Sequence, residues 1–170
     1  MLVSRTQSEL DAAVADIRRA GGQARAFACD VTDPAAVVKL FDGLTRCDVL
    51  INNAGGNTPQ PFLDVDVATL DRLLTLNVRS MFLVAQAAAR VMARTGGGAI
   101  VHMSSQMGHV GGPQRSVYCM TKHAIEGLTK AMAIDLAPLG IRVNAVAPTY
   151  IDTPLTKPFF ADATFRADTL

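Results

Sequence analysis

Tyr118 and Lys122 stand four residues apart in the segment Tyr118-Cys119-Met120-Thr121-Lys122, a spacing that puts both side chains on one face of a helix. A phenol with its ordinary pKa of ~10 is a poor base at neutral pH, but a neighbouring cation favours the phenolate and lowers that value. The pair is a candidate proton carrier, although a tyrosine four before a lysine also occurs on ordinary solvated helix faces. Ser104 and Ser105 follow the apolar run Ala99 to Met103, and open α/β sheets place reacting groups just beyond the carboxyl ends of their strands. Asn77 lies inside a long helical pattern, where asparagine is a poor helix former that competes for backbone hydrogen bonds. Two readings stay open for it. It marks a kink or junction between two helices, or a distorted helix presents it, or an ordered water, to a site.

The elements that position these groups follow from periodicity and punctuation. Leu10, Val14 and Ile17 recur at helical spacing before Gly21-Gly22, so a helix is expected over Ser8 to Ala20, followed by a strand near Ala24 to Cys29. Thr32-Asp33-Pro34 sets a capping side chain just before a proline, and Val37, Leu40, Phe41 and Leu44 then form one buried stripe. Val49-Leu50-Ile51 reads as a strand buried on both faces that feeds the turn Asn52-Asn53-Ala54-Gly55-Gly56. A long helical pattern from about Val67 to Arg94 ends at Gly96-Gly97-Gly98. A strand over Ala99 to Met103, a loop from Ser104 to Arg115, a helix from Ser116 to Leu136 and a strand from Ile141 to Ala147 complete the pattern. Alternating helices and apolar strands predict an α/β fold with a doubly wound parallel sheet and helices on both faces.

Composition bounds the partners. The chain has 170 residues, 49% hydrophobic and 18% charged, enough for one soluble domain over 1–170. A net charge of +1 with both signs scattered offers no field for nucleic acid or an anionic membrane. The run Val78 to Ala93 carries Arg79, Gln86 and Arg90, which a membrane span tolerates poorly, so it reads as a core helix. The first residues lack the basic flank, apolar stretch and cleavage site of an export signal, which makes the cytoplasm the expectation. Cys29, Cys47 and Cys119 have no paired ligand spacing and read as small apolar fillers, with no metal expected.

Taken in order, Asn52-Asn53-Ala54-Gly55, Asn77-Val78, Ile100 to Ser105, Tyr118 to Lys122 and Arg142-Val143-Asn144 to Pro148 resemble the motifs of the short-chain dehydrogenase/reductase family. The resemblance spans nearly the whole chain, and the motifs are specific together although each is weak singly. It implies a Rossmann-like fold and an NAD(P)-dependent oxidoreductase that transfers hydride between nicotinamide and a carbonyl or alcohol carbon. It also implies a tetrad of Asn77, Ser105, Tyr118 and Lys122. Ser105 has the family's separation from Tyr118; Ser104 does not. Tyr118 would carry the hydroxyl proton, Ser105 would stabilise charge on the substrate oxygen, Lys122 would acidify the phenol and grip the nicotinamide ribose, and Asn77 would hold a water linking Lys122 to solvent.

The same resemblance assigns Asp30 and Val31 to the adenine contact, Asn53, Ala54 and Gly55 to the turn beneath the adenosine ribose, and Pro148 and Thr153 to the segment flanking the nicotinamide. Read alone, Asp30 is equally a turn former and Gly55 a residue that permits positive φ. Thr149 departs from the family, which often has glycine there. Arg5, at the end of what resembles the family's second strand, favours NADP(H), because a guanidinium suits a phosphate; an acidic residue there would suit NAD(H), which remains the alternative.

No strand-to-helix turn with closely spaced glycines exists in the sequence, so the phosphate-binding unit of the family is absent and the chain is expected to begin inside the second strand. The sheet is therefore expected to be incomplete, with two exposed edges, and the segment from Pro154 to Leu170 resembles the start of a substrate lid. Two readings remain. One is a working oxidoreductase on a small-molecule carbonyl or alcohol, a homo-oligomer (dimer or tetramer) when complete; it is favoured because every surviving motif keeps its chemical residues. The other is a truncated, inactive fragment that associates through the helices at Asn77 to Arg94 and Tyr118 to Leu136.

Overall fold

The computed structural model describes residues 1–151 together with Lys157 and Ala161. The chain runs β1 (Leu2–Ser4), α1 (Gln7–Arg19), β2 (Ala26–Ala28), α2 (Pro34–Asp42), β3 (Val49–Asn52), α3 (Val67–Leu74), a π-helical segment (Thr75–Arg79), α4 (Ser80–Arg94), β4 (Gly98–Met103), α5 (Ser116–Leu136) and β5 (Ile141–Val146). This is the expected α/β alternation, and every paired strand is parallel to its neighbour.

Local chemistry sets the boundaries. The Asp33 carboxylate accepts the Ala35 N–H at 2.8 Å and caps α2, with Pro34 as its first residue. α4 ends at Gly96 and Gly97, both at positive φ. A Cβ at Gly97 would lie 2.5 Å from the Gly140 carbonyl oxygen, so only glycine lets the chain turn there into β4 beside the start of β5.

The strands form two separate sheets, β1-β2 and β3-β4-β5. Among the described residues, β1 pairs only with β2 and β3 only with β4, as the expectation of unpaired edges requires. The core lies on the larger sheet: Val37 and Phe41 of α2 share one apolar cluster with Val84, Ala88 and Met92 of α4 and with Ile100, Ile141 and Val143 of that sheet, while α1 packs on β1 and β2.

Expected burial of β3 on both faces is not found. Leu50 and Asn52 turn inward, but Val49 and Ile51 are 59% and 56% exposed. Side chains alternate along a strand, and α4 and α5 pack against the face that carries Leu50, Ile100 and Val143, leaving the face of Val49 and Ile51 uncovered by the described elements. No described helix is long and apolar enough to cross a membrane.

Candidate active site

Because β3, β4 and β5 are parallel, their carboxyl ends open on one edge, and the segments that leave them lie side by side. The Ser104 N–H donates to the Val146 carbonyl and the Gln106 N–H to the Pro148 carbonyl, each at 2.8 Å. The Asn52 amide donates to the Met81 carbonyl at 2.8 Å and fixes the end of β3 to α4.

Asn77 marks a distorted junction between two helices, as the first reading expected. The helix is wound as a five-residue π segment around it, and Asn77 is completely buried. Its Nδ2 donates to the Gly56 carbonyl at 2.8 Å and to Thr121 Oγ1 at 3.1 Å, while its Oδ1 accepts the Gly56 N–H at 2.8 Å. One side chain thus ties the distorted helix to the turn after β3 and to α5. π-Bulges interrupt the regular ladder and free groups for such contacts. Gly55 has no positive φ; a Cβ there would meet Asn77 Oδ1 at 3.4 Å and Lys122 Nζ at 3.9 Å, so the glycine leaves open the space beside both groups.

Tyr118 and Lys122 lie in the first two turns of α5, with Nζ 5.6 Å from the centre of the phenol ring. Lys122 is buried and donates to the Met103 carbonyl at 2.7 Å, and burial pulls its pKa down to about 8. The Ser105 hydroxyl lies close enough to the Tyr118 phenol to favour its ionised form, and its Oγ accepts the Met107 N–H at 3.2 Å. Asn77, Ser105, Tyr118 and Lys122 therefore lie close together: Lys122 beside the Tyr118 ring, Ser105 near its phenol, and Asn77 joined through Thr121 to the Tyr118 carbonyl.

Tyr118 is not the acidic phenol that its spacing from Lys122 predicts. Burial raises the phenol above its ordinary pKa, while the nearby Ser105 hydroxyl and the Arg115 charge pull only partly the other way. The physical reason is that desolvation disfavours phenolate, while the ammonium meant to offset it is directed at the Met103 carbonyl. A phenol held in this way is a proton donor at neutral pH.

The residues assigned to a cofactor fall in two groups. Asn53, Ala54, Gly55 and Pro148 line the same strand edge as the tetrad. Asp30, Val31 and Arg5 sit at the carboxyl ends of β2 and β1. Asp30 Oδ1 accepts the Thr32 N–H at 2.9 Å and its hydroxyl at 2.7 Å, so Asp30 does build a turn, and these bonds, with a smaller contribution from Arg5, hold its carboxyl below the usual range. Val31 is half-buried against the apolar cluster. Thr149 donates its hydroxyl to Gln106 Oε1 at 2.8 Å, a bond that glycine could not make. Thr153 lies outside the described residues.

Sequence reading passed over Thr121, which is fully buried and joins Asn77 to the Tyr118 carbonyl through its hydroxyl. Its only signal was a β-branched polar residue inside the Tyr118–Lys122 turn. Reading also passed over His102, buried on β4 with both ring nitrogens lacking hydrogen-bond partners among the described residues, and pushed down to about 4 by desolvation. No group of three or more potential metal ligands occurs among the described residues.

The model of the short chain dehydrogenase family matches residues 1–164. The chain is 43% identical over 149 residues to the cyclopentanol dehydrogenase of Comamonas sp. (strain NCIMB 9872), a match covering 85% of this chain and 60% of that protein. It is 40% identical over 161 residues to the L-xylulose reductase of Bos taurus, covering 94% and 64%. Among solved structures, a gluconate 5-dehydrogenase from Burkholderia cenocepacia J2315 in complex with NADP and tartrate superposes with a TM-score of 0.91 at 31% identity, covering 96% of this chain and 66% of that one. An NAD+-bound xylitol dehydrogenase gives 0.88 at 36% identity, covering 91% and 62%. The chain spans 60–64% of the length of these two curated relatives.

Proposed function

The chain belongs to the short-chain dehydrogenase family, and from that footing we propose that the whole protein is an NAD(P)-dependent oxidoreductase interconverting a small alcohol or polyol and its carbonyl counterpart. The carrying observation is the gathering of Ser105, Tyr118, Lys122 and Asn77 at the carboxyl edge of β3 and β4. Relatives named for cyclopentanol and L-xylulose support the substrate class.

A nicotinamide cofactor, when bound, supplies or accepts the hydride. The residues fit one: Gly55 keeps free the space beside Asn77 Oδ1 and Lys122 Nζ that a side chain would fill. Lys122 uses one of its three N–H donors on Met103 and keeps others for a ribose hydroxyl. Tyr118 gives its hydroxyl proton to the substrate oxygen in reduction, and Ser105 donates to that oxygen as negative charge develops on it. Asn77 holds the turn after β3 and the start of α5 in register, and its amide is the group that would order a water beside Lys122. Arg5 makes NADP(H) the preferred cofactor, with Asn53, Ala54, Asp30 and Val31 along the adenosine and Pro148 and Thr153 near the nicotinamide. Phe82 of α4 and Met120 and Ile134 of α5 are large apolar residues left exposed, which supports self-association through these helices.

Tyr118→Phe in the complete protein is expected to abolish turnover while cofactor binding stays within about twofold; near-normal turnover would overturn the assignment. Titration with NADPH and NADH is expected to give the lower Kd for NADPH, and tighter NADH binding would remove the role given to Arg5.

A further inference from the structure

The turn that carries Ser105 is held from behind by residues outside the tetrad. Residues Gln106–Gly108 form a 3-10 turn. A Cβ at Gly108 would lie 3.1 Å from Glu126 Cγ, 3.1 Å from the Lys122 carbonyl oxygen and 2.9 Å from Ser104 Oγ, so the glycine lets the turn seat directly on α5. Immediately beyond it, His109 Nε2 reaches to 3.4 Å from Glu126 Oε1. The two side chains differ in setting: His109 is 53% exposed and Glu126 only 13%.

Glu126 follows Lys122 by four residues and Tyr118 by eight, which extends their stripe along α5 by one turn. Two neighbouring basic groups on α5 point elsewhere: Lys122 donates to Met103, and His123 Nδ1 lies 2.9 Å from the Cys119 carbonyl on its own helix. Glu126 Oε1 is buried and makes no conventional hydrogen bond among the described residues. A buried carboxylate oxygen is costly without a donor or cation, and among the described residues His109 is the basic group that comes within 4 Å of it. At 3.4 Å this is a long polar contact between the imidazole and the carboxylate.

We propose that His109 and Glu126 are a positioning pair that clamps the Gln106–Gly108 turn onto α5 and so holds the Ser105 hydroxyl against Tyr118. The proposal rests on the reading of Ser105 and Tyr118 given above. Neither member touches the reacting atoms; both act through Ser105, whose carbonyl accepts the Gly108 N–H at 2.8 Å and whose hydroxyl accepts the Met107 N–H.

The test uses the complete protein with its nicotinamide cofactor and has two readouts. Hydrogen exchange at the Gly108 and Met107 amides reads the clamp itself, and turnover reads its consequence. Exposed His109 can be replaced without emptying the core, so His109→Leu is expected to fold, to exchange both amides faster, and to lower kcat about tenfold, since small misplacements of a reacting group carry such costs. Its KM for the cofactor is expected to stay within twofold of wild type. His109→Gln, which keeps a donor, is expected to recover most of the lost kcat, and Glu126→Gln to behave like His109→Leu. In a Ser105→Ala background His109→Leu is expected to cost less than twofold more, because residues acting through one group are not additive. Unchanged amide exchange in His109→Leu overturns the clamp whatever the kinetics, and so does an undiminished penalty in the Ser105→Ala background. Full turnover by Ser105→Ala alone overturns the reading of the site, and the proposal with it.

Discussion

Replacing Lys122 with methionine should leave the fold as stable as wild type, or more so, near neutral pH, and that advantage should disappear in alkali. Lys122 is buried, and its pKa stands at about 8 against an ordinary 10.5. Each tenfold of acidity is worth about 1.4 kcal/mol, so keeping the ammonium charged at pH 7 costs about 3 kcal/mol relative to the unfolded chain. Methionine fills much of the same volume without that cost, but leaves the Met103 carbonyl without the donor now at 2.7 Å, a loss of about 1–3 kcal/mol. The net change near pH 7 lies between zero and about 2 kcal/mol in favour of the variant. The pH dependence has a definite sign. Between about 8 and 10.5 the unfolded wild-type chain binds more protons than the folded one, so wild-type stability rises through that window. The methionine variant has no such group, and its advantage shrinks by about 3 kcal/mol. Urea unfolding of both proteins near pH 7 and near pH 10.5, extrapolated linearly, measures this. A difference between the two that is flat with pH would show that Lys122 is not buried as a cation and would refute the reasoning.

Two further outcomes follow from buried polar groups. Fully buried His102, with its pKa depressed to about 4, takes up its proton on unfolding, so stability should be lost as pH falls from about 6.5 towards 4, by about 3 kcal/mol in all; His102→Asn should flatten that slope in acid unfolding curves. Asn77→Ala removes three hydrogen bonds and leaves the Gly56 N–H and carbonyl without the partner they now have, which should cost about 2–4 kcal/mol in denaturant unfolding.

Most of the elements were legible because their signals are local. The stripe of Val37, Leu40 and Phe41 behind the Asp33-Pro34 cap reports α2 whatever it packs against, and the triple glycine at 96–98 ends α4 because only glycine turns there without strain. The strand from Ala24 to Cys29 was read too long, since β2 covers only Ala26–Ala28 and pairing with a neighbour, not propensity, sets its ends. The both-face burial of Val49 and Ile51 was misread because an apolar run reports what a residue tolerates and not which elements lie over it. In the site, residue types and order pointed to Asn77, Ser105, Tyr118 and Lys122. They did not point to Thr121, whose importance comes from meeting Asn77 across 44 positions of sequence.

By itself the amino-acid sequence determined the alternation of helices and parallel strands, the helix caps, and which side chains could carry a proton, because these depend on neighbours within a few residues. Tertiary structure decided how acidic those groups are. Spacing along one helix placed a cation near a phenol and predicted an acidic tyrosine; packing buried that phenol, turned the ammonium towards the Met103 carbonyl, and reversed the direction of the shift. Desolvation depends on everything that surrounds a group, and what surrounds Tyr118 and Lys122 comes from the strand ends and loops of distant segments, which no local pattern in the chain describes.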